Sequence, residues 1–514
     1  MSEISENNKR IAKNTFVLYI RMFVMMFIGF FTARITLNAL GVDDFGINNV
    51  VGGLVSMFSL LSTSLSSAAG RFITFALGKG DLEEQKRTFA TTINIHIILA
   101  IVVVLAIETI GVWFLNHKLN IPPDRMVAAH WVLQCSVVSF ALGLLSVPYN
   151  SSIIAHERMS AFAYLTILDA VCKLIVVGAI YYYGGDKLIL FSVLSLLPLF
   201  IRQGIYIWYC KRNFRECVYE FRWDKTLFKK MMGYSTWGFI GCTAGLMKDQ
   251  GVNIVINIFT SPVVNAARGI AMQINGMISQ FTGNFMMSLS PQITKYYAVG
   301  DLARMHKLMS YGTRLSYYLF LFISIPVFIE IETILYIWLG NIPEHTVLFA
   351  RLVLVLTLTE LLSTTLITAQ SATGDIRNYQ LVVGGIYLLN LPLSYMFLKL
   401  GFIPEFTIII AIVVSLLCLF ARLLFLRRSV LLSIRIYVKN VILNTLFVTL
   451  CAFPLPALLY FSIDGEVLRF LIVCGSSVLS SIVSILFVGC SGDERVLVSE
   501  YLRKLYNRIV RMKK

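Results

Sequence analysis

Long apolar runs separated by short polar loops make up most of this chain, and fourteen of them lie between Asn14 and Cys490. Each run has roughly the 20 residues that an α-helix needs to cross the hydrocarbon core of a membrane. The runs are too long for barrel strands, and lipid offers no partners for free backbone groups, so helices must span the bilayer. The pattern predicts an all-α, polytopic membrane protein with about 14 transmembrane helices. The predicted spans are 14–36, 47–68, 88–115, 127–149, 160–183, 188–209, 234–258, 265–289, 308–335, 347–369, 381–398, 406–426, 438–461 and 467–489.

Lysine and arginine alternate between successive loops. The N-terminus, the even-numbered loops and the C-terminus are rich in them, whereas the odd-numbered loops contain only Lys118, Arg125 and Lys187 away from the span ends. Basic loops stay on the cytoplasmic side of a membrane. The alternation therefore supports the number of crossings and predicts that both termini are cytoplasmic.

Composition agrees with this picture, because 57% hydrophobic residues, 14% charged residues and a mean hydropathy of +0.76 exclude a water-soluble globule. The net charge of +16 is explained by loops that face an anionic leaflet, so it does not call for nucleic acid. The nine cysteines are scattered without the spacing of a metal site or a disulfide framework. No phosphate-binding glycine motif occurs. We therefore expect a transporter, not an enzyme, with no metal and no cofactor.

A repeat at an offset of 220 residues divides the chain. Gly80-Asp81-Leu82 recurs as Gly300-Asp301-Leu302, in both cases after the second helix of a half. Each half has six spans, an even number, so the halves insert in the same orientation. We predict two parallel six-helix lobes plus two C-terminal helices. The predicted domains are an N-terminal six-helix lobe (1–210), a cytoplasmic amphipathic linker (211–233), a C-terminal six-helix lobe (234–430), two additional transmembrane helices (431–490) and a basic cytoplasmic tail (491–514).

Charged side chains inside the spans are the candidates for function, because a charge at the bilayer centre costs about 2.5–3.5 kcal/mol and should face protein or water. Arg21 lies inside the first span, and Asp169 and Lys173 lie inside the fifth. Asp169 and Lys173 are four residues apart, so they either neutralise each other or line a water-filled cavity. Arg268 lies near a span end, where a long side chain can snorkel to the interface.

The seventh span carries the densest group of polar residues. Lys248 and Asp249 are adjacent and point about 100° apart, so they do not readily neutralise each other. Asp249, Asn253 and Asn257 recur every four residues and form one stripe, which indicates either a wetted face or hydrogen bonds to a neighbouring helix. The candidate substrate-binding residues are Arg21, Lys173, Lys248, Asn253 and Asn257, and the candidate coupling carboxylates are Asp249, Asp169 and Glu360.

Several short motifs accompany this layout. They are Ala33-Arg34-Ile35 through Leu40-Gly41 and Phe45-Gly46 in the first hairpin, Ala155-His156-Glu157-Arg158 after the fourth span, Asp249 in the seventh, and Pro291 with Gly300-Asp301 after the eighth. With its two six-helix lobes and two trailing spans, the chain resembles the multidrug/oligosaccharidyl-lipid/polysaccharide (MOP) exporter superfamily. The resemblance covers nearly the whole chain and is strongest to the polysaccharide-transport branch, which includes O-antigen flippases.

The resemblance implies a substrate and a route. The substrate would be a polyprenyl-pyrophosphate-linked oligosaccharide, such as an O-antigen or capsule repeat unit, flipped across the bacterial cytoplasmic (inner) membrane by alternating access. Arg21, Lys173 or Lys248 would face the diphosphate, and Asp249 would be the best coupling carboxylate. The expected partners are this lipid-linked oligosaccharide, membrane lipids and a transported proton or sodium ion, without nucleic acid.

Two other functions stay open at this point. A cation-coupled multidrug exporter would share the fold, but its cavity should be net acidic, whereas the charges inside the spans of this chain are of both signs. A membrane glycosyltransferase, polymerase or ligase usually displays a large extracytoplasmic segment, and the uniformly short outer loops argue against it.

Overall fold

The computed structural model of the chain describes residues 2–119, 121–181, 183–220 and 222–490, together with positions 492 and 495. Within these residues all regular secondary structure is helical, which confirms the predicted all-α class. The predicted basic tail, 491–514, lies outside the described residues except for those two positions.

The helices follow the predicted spans, several of which consist of two consecutive helices. In the first half they are α1 (Ser2–Ser56, two helices joined across a kink at Gly41 with φ of +79° and ψ of 173°), α2 (Ser59–Lys79), α3 (Leu82–Ala106), α4 (Val112–His117), α5 (Met126–Ala155), α6 (Met159–Tyr181), α7 (Lys187–Leu194) and α8 (Leu196–Asn213). The later helices are α9 (Lys225–Leu246), α10 (Val252–Phe259), α11 (Pro262–Ala298), α12 (Leu302–Ile329), α13 (Ile331–Leu339), α14 (Thr346–Leu361), α15 (Thr364–Thr373), α16 (Arg377–Leu388), α17 (Asn390–Lys399), α18 (Phe406–Ser429), α19 (Ile434–Tyr437), α20 (Asn444–Ala452), α21 (Pro454–Ser462) and α22 (Glu466–Ser484). Short π-helical segments join some of them, at Ile107–Gly111, Met247–Gly251 and Val438–Leu443, and another, Ile485–Gly489, follows α22.

Helices occupy all fourteen predicted positions, but they differ in apolar character. Within the described residues, eleven spans are long and apolar enough to cross a membrane, and the pair Asp43–Ser56 and Ser59–Lys79, bent by 49°, makes up to twelve. The other two positions are those of α9–α10 and of α11, which are long enough but more polar. The protein is thus a multi-pass membrane protein, and the total of fourteen crossings stays a prediction.

The chain folds into two compact units. Unit 1 comprises Met1–Thr243, Met287–Leu302 and Ser371–Leu381, and unit 2 comprises Ala244–Met286, Ala303–Gln370 and Val382–Lys514. Unit 1 therefore contains the first six spans, the linker, most of α9 and two short segments from the later half of the sequence. The predicted pair of parallel lobes remains a prediction.

The repeated tripeptides form similar turns. Gly80 ends α2 with φ of +79°, and Gly300 follows α11 with φ of +76°. Both values lie in the left-handed region, which glycine enters without steric cost. The next residue, Asp81, accepts a hydrogen bond from the backbone N–H of Glu83 at 3.0 Å and so caps α3. The sequence repeat therefore reflects a helix–turn–helix connection that needs this glycine.

Arg125 connects three loops of unit 1 that the sequence predicts to be on the outer side. Arg125 pairs with Asp44 and, at 2.9 Å, with Asp186. Asp186 also accepts hydrogen bonds from the backbone N–H groups of Leu188 and Ile189 at the start of α7. Burial by itself raises the pKa of Asp186, but these N–H groups and Arg125 outweigh it, so the pKa of this carboxyl lies below its ordinary value.

The predicted linker contains no helix in its middle. α8 ends at Asn213 and α9 begins at Lys225, and the described residues between them are turns and extended chain. The Tyr219 hydroxyl donates to Asn94 Oδ1 on α3 at 2.8 Å, and Asn94 Nδ2 donates to the carbonyl of Arg222 at 3.1 Å. The linker is thus held on α3 by paired hydrogen bonds, while its predicted amphipathic role remains a prediction.

Candidate functional site

A charged cluster in unit 1 centres on Asp169 of α6. Asp169 Oδ2 lies 2.9 Å from Lys173 Nζ, one turn further along the helix, and 3.5 Å from Arg202 Nη1 on α8. Asp169 is 9% exposed, and its Oδ1 has no hydrogen-bond partner among the residues that the structure describes. Asp169 and Lys173 therefore pair within α6, and Arg202 is a third charged group beside them. Asp169 Oδ1 remains available for a further contact.

Arg21 belongs to the same neighbourhood. Its guanidinium lies 4.7 Å from the ring of Phe162 on α6, a cation–π distance. The Tyr206 hydroxyl on α8 is under the electrostatic influence of Arg21, Arg202 and Asp169 together. Arg21 Nε and Nη1 are buried and have no hydrogen-bond partner within the described part of the chain. The guanidinium is thus held by an aromatic face, with two of its nitrogens free to donate.

On α1, α6 and α8, the charged residue of this cluster lies away from the exposed apolar residues of its helix. Arg21, Asp169 and Arg202 each lie five residues after an exposed apolar residue, hence about 140° around the helix from it. The exposed apolar stripes are Phe16, Ile20, Phe23 and Phe27 on α1, Tyr164, Leu168, Val171 and Ile175 on α6, and Leu197, Ile201 and Trp208 on α8. The three charges therefore lie outside the exposed apolar stripes of their helices.

Asp169 and Arg202 lie near the middle of their predicted spans, and the cluster is positively charged. Asp169 comes ten residues after the start of α6 at Met159, and Arg202 eleven before the end of α8 at Asn213. These offsets correspond to about 15 and 16 Å along the helices, half of a hydrocarbon core of about 30 Å. Three cations stand against one carboxylate, and the side chain of Lys173 is 46% exposed. The arrangement can hold an anion.

Sequence reasoning missed Arg202. Its signal is visible in hindsight, because Arg202-Gln203 interrupts the sixth apolar run well before the basic residues at its end. Its neighbour Gln203 donates at 3.4 Å to the carbonyl of Leu145 on α5. The pair of polar residues thus marks an inward-facing position that the spacing of charges on a single helix does not identify.

A second charged cluster lies in unit 2, in the π-helical segment Met247–Gly251 between α9 and α10. Lys248 Nζ is 2.5 Å from Glu360 Oε1 on α14, 3.9 Å from Asp249 Oδ1 and 5.1 Å from the centre of the Tyr387 ring. The Lys248 side chain is only 8% exposed, whereas those of Asp249 and Glu360 are 46% and 35% exposed. The buried Lys248 ammonium is thus neutralised mainly by Glu360, which is far from it in the sequence.

Arg268 of α11 supports the π-helical segment. Its Nη1 donates to the main-chain oxygen of Asp249 at 3.1 Å and to Asn253 Oδ1. π-Helical turns interrupt the regular hydrogen-bond ladder and often occur at functional sites. Arg268 is 4% exposed, so the expectation that it can snorkel is wrong: its guanidinium is retained inside by these acceptors.

The polar stripe of the seventh span divides into two environments. Asn253 accepts from Arg268 and donates to Gln250 Oε1 at 3.1 Å, so this position is used for hydrogen bonding within unit 2. Asn257, one turn further, is exposed. Hydrogen bonding thus applies to Asn253, and a wetted face at Asn257 stays a prediction. Two cations, Lys248 and Arg268, balance two carboxylates here, unlike in the cluster of unit 1.

Comparisons with known proteins agree with this architecture. A family model described as "Polysaccharide biosynthesis protein" matches residues 11–297. The chain is 19% identical over 294 residues to the uncharacterized membrane protein EpsK of Bacillus subtilis (strain 168), an alignment that spans 56% of this chain and 57% of that relative.

Solved transporter structures share the fold. The chain is similar to a MATE protein in the straight conformation, with 12% identity, a TM-score of 0.69 and coverage of 82% of this chain and 96% of the other. It is also similar to an outward-facing multidrug resistance MATE family transporter of the MOP superfamily. That match has 12% identity and a TM-score of 0.68, and it covers 82% of this chain and 96% of the other. A MOP superfamily transporter from Pyrococcus furiosus, described as having a binding pocket of reverse polarity, matches with 12% identity over 82% of this chain and 96% of its own, at a TM-score of 0.67. These structures confirm the fold that the MOP resemblance implies, and the family model supports its polysaccharide branch.

Proposed function

Because the chain belongs to the polysaccharide biosynthesis protein family, we propose that it is a flippase for a polyprenyl-pyrophosphate-linked oligosaccharide. It would act in a bacterial cytoplasmic membrane, with both termini in the cytoplasm, and would move the head group outward by alternating access. Diphosphate and sugars do not cross hydrocarbon unaided, since burying polar and charged groups without partners costs several kcal/mol. The protein must therefore offer the head group polar partners at mid-membrane depth.

The observation that carries this proposal is the cation excess of the unit 1 cluster. Arg21, Lys173 and Arg202 stand against a single carboxylate, outside the exposed apolar stripes of their helices. Guanidinium groups bind phosphate oxygens through two parallel hydrogen bonds, and two Arg21 nitrogens are without hydrogen-bond partners among the described residues. We assign the diphosphate to these three side chains, while the lipid tail stays among the acyl chains.

Lys248 has a different place in this proposal. Its ammonium is already neutralised by Glu360 at 2.5 Å, so a diphosphate would have to displace a carboxylate. We therefore propose that Lys248 acts in ion coupling, together with Asp249 and Glu360, and does not bind the substrate. Protonation or sodium binding at either carboxylate would weaken its hold on Lys248 and give the transport cycle an ion-dependent step. Asn253 and Asn257 remain candidates for contacts with sugar hydroxyls.

The other functions fit less well. A multidrug exporter for organic cations needs an acidic site, whereas the unit 1 cluster is positive. The described structure of the Pyrococcus furiosus transporter indicates that pocket polarity differs among proteins of this fold. A glycosyltransferase or polymerase would need a reaction centre on an outer segment, and the outer connections are only short loops.

The test is genetic. Deletion of the gene should make lipid-linked glycan accumulate in the inner leaflet and remove the surface glycan, and the native chain should restore it. Normal surface glycan after deletion, in a strain without a redundant transporter, contradicts the flippase function.

A complementation series tests the assignment of Arg202. Arg202→Gln should restore little surface glycan at an unchanged amount of membrane protein, because it removes a charged donor at mid-membrane depth. The matched control is Arg427→Gln, which changes an exposed arginine in the last turn of α18. Equal complementation by both variants removes Arg202 from the site.

A further inference from the structure

A carboxylate outside both charged clusters is unusually well enclosed. Glu157 follows the end of α5, and its side chain is only 1% exposed. Its φ of +58° lies in the left-handed region, which non-glycine residues rarely enter. The turn is fixed by hydrogen bonds from the backbone N–H of Glu157 to the carbonyl of Ile154 at 2.9 Å and from that of Arg158 to Ile153 at 3.0 Å. The backbone thus directs a charged side chain inward.

Four side chains from two other helices hold Glu157. Arg10 Nε on α1 lies 2.9 Å from Oε2, and Lys295 Nζ on α11 lies 2.7 Å from Oε1. Gln292 Nε2, also on α11, donates to Oε2 at 3.1 Å, and Asn14 Nδ2 on α1 donates to the main-chain oxygen of Glu157 at 3.1 Å. A buried carboxylate needs such partners. The partners join the first half of the chain to the end of α11.

Further contacts within unit 1 repeat this pattern. Thr15 Oγ1 and Ser288 Oγ lie 2.8 Å apart. Arg71 Nη2 on α2 donates at 2.9 Å to the carbonyl of Ala372 at the end of α15, where a cation also complements the helix dipole. Every one of these contacts joins an element of the first six spans to residues 287–302 or 371–381, the later segments that unit 1 includes. The charge-based topology places both segments on the cytoplasmic side.

We infer that Glu157 and Lys295 form an ionic latch that keeps the cytoplasmic ends of the two predicted lobes together and must break before the cytoplasmic side opens. The inference rests on the proposed function, since it assumes a carrier that alternates between two states. In the closed state each charge has its partner. Loss of the carboxylate leaves Arg10 and Lys295 as like charges without their common anion, so the open state gains in population.

Disulfide formation between Thr15→Cys and Ser288→Cys tests the latch. These near-isosteric substitutions replace two hydroxyls that are in contact. In inverted membrane vesicles treated with copper phenanthroline, the cross-linked peptide is quantified by mass spectrometry, so the native cysteines stay in place. We expect fast cross-linking in the otherwise native chain. If the two states start about equally populated, a tenfold shift of their equilibrium (about 1.4 kcal/mol) lowers the closed fraction from about one half to about one tenth. Adding Glu157→Gln should therefore slow cross-linking by about fivefold.

Two further variants make the result decisive. Lys295→Gln should slow cross-linking in the same direction, because it removes the other partner of the latch, and it serves if Glu157→Gln does not fold. Glu216→Gln is the matched control, since this buried carboxylate lies near the same turn but pairs with His156, also from the first half, at 2.5 Å. Native rates in both latch variants, or equal slowing by the control, overturn the inference. Cross-linking needs no substrate, so a failure of the flippase function remains distinguishable from a failure of the latch.

Discussion

The Lys248–Glu360 pair predicts an asymmetric response to removal of its two charges. Removing one partner of a fully buried ion pair costs about 3–5 kcal/mol, because the other charge is left uncompensated. Glu360→Gln would leave the Lys248 ammonium, which is 8% exposed, with only the more distant Asp249 at 3.9 Å. Lys248→Met would leave a carboxylate that is 35% exposed and therefore hydrated. The first substitution should thus be the more damaging.

The magnitudes follow from these exposures. Because Asp249 still compensates part of the Lys248 charge, we expect Glu360→Gln to lower the free energy of unfolding by about 2 kcal/mol. This is below the range for a wholly uncompensated charge. For Lys248→Met we expect about 1 kcal/mol or less, as for an exposed pair, because methionine fills most of the space of the lysine stem. The double variant should resemble Lys248→Met alone, which gives a coupling of about 2 kcal/mol.

Thermal unfolding of the purified full chain in lipid nanodiscs measures this cycle. For a chain of this size, each kcal/mol shifts Tm by about 2 °C or less, so the expected drop for Glu360→Gln is about 4 °C at most. The control is Glu344→Gln, which makes the same chemical change at an exposed loop position and should leave Tm unchanged. Additive effects, or a larger loss from Lys248→Met than from Glu360→Gln, would refute the reasoning.

Two other predictions concern unit 1. A Cβ at Gly78 would lie 2.8 Å from Ala298 Cβ and 3.1 Å from the backbone of α11. Gly78→Ala should therefore lower Tm, although alanine favours helices. The control is Gly53→Ala, whose new Cβ meets open space. The lowered pKa of Asp186 means that its pairing stabilises the fold above its ordinary pKa of about 3.9 and that this contribution is lost as the pH falls through the lowered value. Acidification below about pH 4 should therefore lower the Tm of the native chain more than that of the Arg125→Ala variant. Measurement of Tm against pH for both proteins checks this, and parallel curves would contradict it.

The sequence was sufficient for the fold class, since apolar runs and basic loops respond to the bilayer itself and not to tertiary partners. It also allowed the pair of Asp169 and Lys173 as one of two interpretations, because a separation of four residues brings two side chains together on one helix wherever that helix packs. It did not identify the partner of Lys248, because Glu360 is 112 residues away and periodicity says nothing about which helices meet.

Local irregularities were equally invisible in the sequence. The π-helical segment Met247–Gly251 leaves the hydrophobic pattern of its span unchanged, so Lys248 and Asp249 were expected to diverge by the angle of a regular helix. The inward direction of Glu157 depends on a left-handed backbone angle that no spacing reveals. Both features are local departures from regular geometry, stabilised by arginine, lysine or glutamine from other helices.

The charge balance of the two clusters gives the strongest argument for different roles. A site that holds an anionic head group for part of a cycle must have positive charge to spare, and the cluster around Arg21 and Arg202 has three cations for the one carboxylate of Asp169. A site that couples transport to an ion must instead change its balance when that ion binds. The cluster of Lys248 and Arg268 against Asp249 and Glu360 is neutral. In the proposed cycle, one added proton or sodium ion would make it positive and would release Lys248 from its partner. Each role thus fits the cluster whose charge it requires, and exchanging the two assignments would leave the diphosphate with a neutral site.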